Sequence, residues 1–452
     1  MGSATMTTHR CSADPSRRVV QQLDRSLARL TNAPLDPATL GRMRWFWLDS
    51  LFANISVGFF ATYVPLFALA YGASNAQVGQ LAAIASLLAM VALFPGARTI
   101  PFFGGRKRVV LFFAGGLARI ALIALACLPW LAHDPARAIL AIILLNGLIS
   151  FSNSFSGPAW TSLIADIVPT HMRGRFFAHR GQAINLVALS VVPFAGWLIK
   201  AGNGLTGQPF AGYQLVFLLA FVAGAVATWC YSRIDEPAAP AETIHTTSLL
   251  EIARVLRRSR LFLGFVAATL IWNLGFQISL PFFNIYLAGP LGASTTTIGL
   301  LNAVMPLTAL FSQRWLGPLI DRRGNVWVLS ACALVIPIFP VFWIFVTAPW
   351  QVIFINIPAG IFWTGFNLAS FNLLLELAPA EARADSVALY QFMVAGAAVL
   401  GPLLGGYLAD AYGFNATFGV SALGRLLGAL AFLWWVARPV ARQSRGQSAL
   451  RI

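Results

Sequence analysis

The sequence predicts an all-α membrane protein: twelve transmembrane helices in two pseudo-symmetric six-helix halves. Three observations predict it: a composition unlike that of a soluble domain, a series of bilayer-length apolar runs, and an internal repeat. Of 452 residues, 58% are apolar and only 10% charged, and mean hydropathy is +0.73. A soluble domain is about 45–50% apolar and about 25% charged. The imbalance excludes an ordinary soluble enzyme, and 13% aromatic residues excludes a disordered chain.

At about 20 residues per crossing, apolar runs fall near 45–71, 77–97, 109–131, 138–157, 181–200, 211–232, 261–288, 296–316, 326–347, 350–376, 386–409 and 416–437. They are too long for tilted strands, so they are read as helices, spans 1 to 12. The organisation expected is a cytoplasmic tail with an amphipathic helix (1–44), an N-terminal half (45–233), a cytoplasmic linker (234–260), a C-terminal half (261–437) and a cytoplasmic tail (438–452). The first 40 residues lack the apolar core of a cleaved signal peptide.

Net charge is +16. In a soluble protein that excess points to nucleic acid. Here 27 of the 31 Lys and Arg sit in the tails and in alternate loops, and only Arg137 and Lys200 lie in the opposite loops. The asymmetry reads as topology: a multi-pass protein of the cytoplasmic (inner) membrane with both termini cytoplasmic, and no nucleic-acid partner. Residues 16–30 and 248–258 alternate apolar and basic positions at helical spacing. They read either as interfacial helices on the lipid bilayer or as linker helices packed beneath the bundle.

The halves repeat each other. Gly72-Ala73-Ser74 with Val78-Gly79 recurs as Gly292-Ala293-Ser294 with Ile298-Gly299. Asn146, Asp166, Pro169 and Arg173 recur as Asn356, Glu376, Pro379 and Arg383. Parallel repeats of this kind are a transporter architecture.

The chain resembles the major facilitator superfamily. Gly317-Pro318-Leu319-Ile320-Asp321-Arg322-Arg323-Gly324 looks like that family's G-x-x-x-D-R-x-G loop. After span 2 the pattern departs: Gly96 and Gly105-Arg106-Lys107-Arg108 remain, with Phe102 where the Asp belongs. Span 11 carries Gly401-Pro402-Leu403-Leu404-Gly405-Gly406. The family's antiporters have that run in span 5, where only Pro193 and Gly196 stand here. The resemblance covers about 45–437 and implies secondary transport by alternating access.

Polar groups inside lipid must face protein or water. Stripes at helical spacing place Asn146, Ser150 and Asn153 on one face of span 4, Asn273, Gln277 and Asn284 on one face of span 7, and Asn356, Trp363 and Asn367 on one face of span 10. The resemblance implies that spans 1, 4, 7 and 10 surround a central cavity. The expected substrate site is therefore Tyr63, Asn146, Asn153, Asn273, Gln277, Asn356, Trp363 and Asn367. The competing reading of each stripe is hydrogen bonding between helices.

Three charges fall within spans: Asp49, Arg119 and Arg425. Such charges are costly and mark function by default. Asp49 shares a face of span 1 with Ser56 and Tyr63, and is either a proton carrier or a structural partner for a basic group. Arg119 and Arg425 lie on spans that the resemblance makes outer supports, so their expected role is structural. The resemblance also sets loops side by side across the seam. Arg106, Lys107 and Arg108 would face Glu376, Glu381 and Asp385, beside Arg383. Asp321 and Arg322 would face Arg173, Arg175 and Arg180, as gates that close when the cavity opens outward.

No phosphate-binding G-x-x-x-x-G-K-[ST] loop, metal-spaced His/Cys cluster or Ser/His/acid set occurs. No cofactor, metal or catalytic residue is expected, and the chain does not read as an enzyme. The reading is a monomeric secondary transporter of a small molecule, with protons as the candidate coupling ion. Export of amphipathic compounds is preferred. Uptake of a neutral solute such as a sugar, or a non-transporting receptor or lipid-handling protein on the same fold, remain the alternatives.

Overall fold

The computed structural model describes residues 36–169, 172–236, 259–379 and 383–442. The expected amphipathic segments 16–30 and 248–258, Glu381, and the side chains of Arg383 and Asp385 fall outside the described set. All regular structure among the described residues is helical.

Eleven stretches are long and apolar enough to cross a membrane: Pro37–Ala70, Asn75–Leu93, Arg106–Leu131, Pro135–Ile167, Arg173–Thr206, Ala211–Ser232, Arg260–Ala288, Thr295–Arg323, Asn325–Ile344, Pro349–Leu377 and Ser386–Arg442. The last holds two of the predicted spans. It is interrupted at Gly413, whose φ of 81° and ψ of 172° only glycine adopts readily. Before this residue, Gly401 lies against Gln277 and Gly405 against Ile278 and Phe282. After it, Gly424 lies against Gly275, Gly428 against Trp272 and Trp435 against Gly264. The chain climbs span 7, reverses at one residue and descends it again, so spans 11 and 12 are 386–412 and 414–442.

Local chemistry explains the repeated motifs. Gly72 and Gly292 turn the chain with φ of 85° and 59°. Ser74 and Ser294 then cap spans 2 and 8, accepting from the backbone N–H of Gln77 at 3.3 Å and Thr297 at 3.2 Å. Gln77 closes a capping box by accepting from the Ser74 N–H at 2.9 Å. Spans 1 and 7 are each broken into two helices, Pro37–Phe60 with Val64–Ala70 and Arg260–Ser279 with Phe282–Ala288. Pro65 and Pro281 stand at the breaks, because proline removes a backbone donor.

The halves meet through span 2 on span 11 and span 5 on span 8. Gly79 abuts the Pro402 carbonyl, Gly406 abuts Asn75, Gly196 abuts Thr295, and Gly299 abuts Pro193. Small residues let the backbones approach closely, as membrane packing requires. Thr295 and Thr296 add hydrogen bonds to the Gly196 carbonyl at 2.7 and 3.3 Å. These contacts all sit at the far end of the bundle, away from the arginine-rich loops of the opposite, basic end. The seam is closed at the far end.

Candidate substrate cavity

A cavity of about 270 Å³ lies inside the C-terminal half, between spans 7, 8, 9, 10 and 12. Its walls are aromatic: Phe276, Phe283, Phe339, Trp343 and Trp363. Trp363 stacks on Phe276 at 4.5 Å between ring centroids and on Trp272 at 5.7 Å. Three amides break the apolar lining: Asn284, Asn302 and Asn356. Asn302 donates to Asn284 Oδ1 and to the Ile298 carbonyl, both at 3.0 Å, and Asn356 donates to the Leu301 carbonyl at 3.0 Å. Each keeps polar capacity to spare, since an amide offers two donor hydrogens and a two-lone-pair acceptor. A greasy cavity with few fixed polar groups suits an aromatic or amphipathic ligand.

Of the eight expected site residues, Asn356 and Trp363 line this cavity. Asn273 turns back on its own helix, donating to the Thr269 carbonyl at 2.9 Å. Gln277 is pressed by span 11 at Gly401. Asn146 is half-buried, and Asn153 and Asn367 are exposed. Tyr63 is fully buried and donates to the Val192 carbonyl at 2.6 Å, inside the far-end seam. Asn302, Phe276, Phe283 and Trp343 were not anticipated. Asn302 was visible as a lone amide in the apolar run of span 8.

The face of span 1 carrying Asp49, Ser56 and Tyr63 does not line open volume. All three are buried. Ser56 donates to the Ala220 carbonyl of span 6 at 2.6 Å. Asp49 accepts from the Trp160 indole and faces the guanidinium groups of Arg119 and Arg180. Arg119 itself reaches Ser56 at 3.4 Å. The N-terminal half thus holds a buried carboxylate within electrostatic reach of two cations. Arg425, on span 12, is 3% exposed, forms part of the cavity wall and donates to Ser279 at 2.7 Å. Among the described residues no cluster of His, Cys, Asp and Glu fits a metal ion.

The profile of the Major Facilitator Superfamily matches residues 46–289 and again 273–450. The chain belongs to the major facilitator superfamily. The multidrug resistance protein MdtG of Salmonella typhi is 26% identical over 393 residues, covering 83% of this chain and 90% of that protein. The fold matches a D-xylose–proton symporter (TM-score 0.67, 17% identity, 88% of this chain and 97% of that one). It also matches a bacterial homologue of the lysosomal transporter Spinster in an inward-facing, unoccupied conformation (TM-score 0.64, 14% identity, 89% and 95%). This superfamily member is a secondary transporter of a small molecule.

In this far-end-closed structure the basic-end groups Arg106, Arg173 and Glu376 bond within their own halves. Arg106 is 5% exposed. It donates to Asp166 at 2.6 Å, to Ser162 at 3.0 Å and to Glu236 at 3.1 Å. Glu236 also accepts from the backbone N–H of Lys107 at 3.2 Å, and Arg108 is exposed. The repeat-related acid Glu376 takes the Asn325 amide at 2.5 Å. Arg173 donates to the Ala165 carbonyl at 2.7 Å. The repeated acid therefore ties the end of span 4 or 10 to the start of span 3 or 9. Asp321 and Arg322 are exposed, and Phe102 is 88% exposed.

Proposed function

We propose that this superfamily member exports amphipathic small molecules across the cytoplasmic membrane by rocking its halves about the seam. The observation that carries the reading is the far-end closure combined with an aromatic, amide-bearing cavity. The bias of Lys and Arg supports cytoplasmic termini, which makes the closed end the outer one. A multidrug resistance protein among the relatives supports a greasy substrate. In the proposed cycle Asn146, Asn153 and Asn367 guide the substrate, Asn356 and Trp363 hold it, and Tyr63, Asn273 and Gln277 rearrange when the far end opens. Asp49 carries a proton between Arg119 and Arg180. Asp321 with Arg173, and Arg106 to Arg108 with Asp385, form basic-end gates in the outward-open state. The protein acts as a monomer.

The test is counterflow and proton-driven accumulation of a bisbenzimide dye in proteoliposomes. Dye should exchange without a gradient and accumulate when the lumen is acid. Folded protein that gives no exchange defeats the proposal.

A further inference from the structure

Arg425 differs from Arg106, the other arginine buried among the described residues. Arg106 has Asp166 and Glu236, and Arg119 and Arg180 lie within electrostatic reach of Asp49. No carboxylate among the described residues lies against Arg425. Its support is neutral: the Ser279 hydroxyl at 2.7 Å and the face of Phe276, 5.0 Å from the ring centroid. Ser279 in turn sits 2.8 Å from the Ser421 hydroxyl, which bonds the Gly275 carbonyl at 2.6 Å. Arg425 Nε is buried with no partner. A guanidinium presents five donors and stays charged. A buried ion without a counter-ion is strongly disfavoured, and one serine and one ring face offset part of that.

The same side chain is part of the wall of the cavity in the C-terminal half. The geometry points to a binding site there for an amphipathic carboxylate, its acid group on Arg425 and its flat apolar body between Phe276, Phe283, Trp343 and Trp363. Asn302 and Asn356 line the same cavity and offer amide groups to the rest of the ligand. The site lies within one half and not between the two. It rests on the reading of the chain as a carrier of amphipathic compounds, and adds organic anions to that class.

The test uses the purified full chain in nanodiscs and three probes with one aromatic body: 2-naphthoate, 2-naphthamide and 2-naphthylmethylamine. Tryptophan quenching reads binding, since Trp343 and Trp363 are in the wall. The naphthoate should bind roughly tenfold tighter than the amide, as one charge-assisted hydrogen bond implies, and the amine weakest. Arg425→Gln should abolish the preference. Should that variant not fold, Ser279→Asp decides, because Ser279 lies 2.7 Å from Arg425 and a carboxylate there should also erase the preference. Equal binding of naphthoate and naphthamide to the natural chain, or a preference that survives Ser279→Asp, overturns the site. Dye counterflow on the same preparation separates the two readings. Exchange without naphthoate preference removes the site alone, and naphthoate preference without exchange removes the transport proposal alone.

Discussion

Asp410, at the close of span 11, caps the first turn of span 2 across the seam. Its Oδ1 accepts from the Asn75 backbone N–H at 3.1 Å and from Asn75 Nδ2 at 2.9 Å, and its Oδ2 accepts from the Ala76 N–H at 2.8 Å. A carboxylate at a helix N-terminus satisfies orphan donors and meets the positive end of the helix dipole. Here donors and acceptor belong to different halves, so the cap is also a latch on the far end.

Removing the latch should free the far end. Asp410→Ala is expected to cost the closed state about 1 kcal/mol, since the pair is solvent-exposed, or roughly fivefold in the ratio of closed to open. Spin labels at Gln80 and Tyr412 in a cysteine-free background should show a larger long-distance population. An unchanged distance distribution would assign the closure to backbone packing alone.

Backbone packing has its own test at Gly79. A Cβ there would lie 2.3 Å from the Pro402 carbonyl oxygen of the other half. Backbone gives way poorly, so Gly79→Ala should raise the closed state by about 1–3 kcal/mol. The expected phenotype is folded protein with slowed exchange and easier labelling of cysteines placed at the far end. Normal exchange kinetics would show that the helices separate at little cost.

The repeated clasp at the basic end is unequal in the two halves, and so should be its energetics. Arg106→Ala strands two carboxylates that are partly exposed, at 29% and 25%, which sets the cost at about 1–3 kcal/mol. Asn325→Ala removes an exposed amide bond worth about 0.5–1 kcal/mol. Thermal unfolding should rank the variants in that order. Equal melting temperatures would mean that Arg106 is no more than a surface contact.

Asp49 separates coupling from architecture. Asp49→Asn keeps an acceptor for the Trp160 indole but cannot cycle a proton. Uphill dye accumulation should vanish while counterflow, which needs no net proton movement, persists. A variant that still accumulates dye on a pH gradient would make Asp49 a structural partner of Arg119 and Arg180.

What the sequence made legible was local. A Gly-Ala-Ser triplet announces a left-handed turn and a serine cap, and both copies form them. The composition and apolar run lengths announce the helices. Partner choice was not legible. Asp166 and Glu376 recur at equivalent span ends, but nothing in the pattern says whether each reaches across the seam or back to Arg106 and Asn325. A polar stripe likewise marks a helical face without saying what covers it. Ser56 and Tyr63 satisfy carbonyls of neighbouring helices, while Asn356 reaches the cavity. Arg425 bonds a polar side chain, Ser279, as a supporting role on an outer span implies, and its length also carries it to the cavity wall, which the position of the helix axis does not announce.

The reversal at Gly413 has a mechanical consequence. Span 11 carries Pro402, Gly406 and Asp410, which seal the far end, and span 12 carries Arg425, which walls the cavity. One residue of non-helical backbone joins them. A crank with so short an elbow has little slack. A shift of span 12 as the cavity fills would be handed to the Asp410 cap, and prying that cap open would tug on the wall around an occupant.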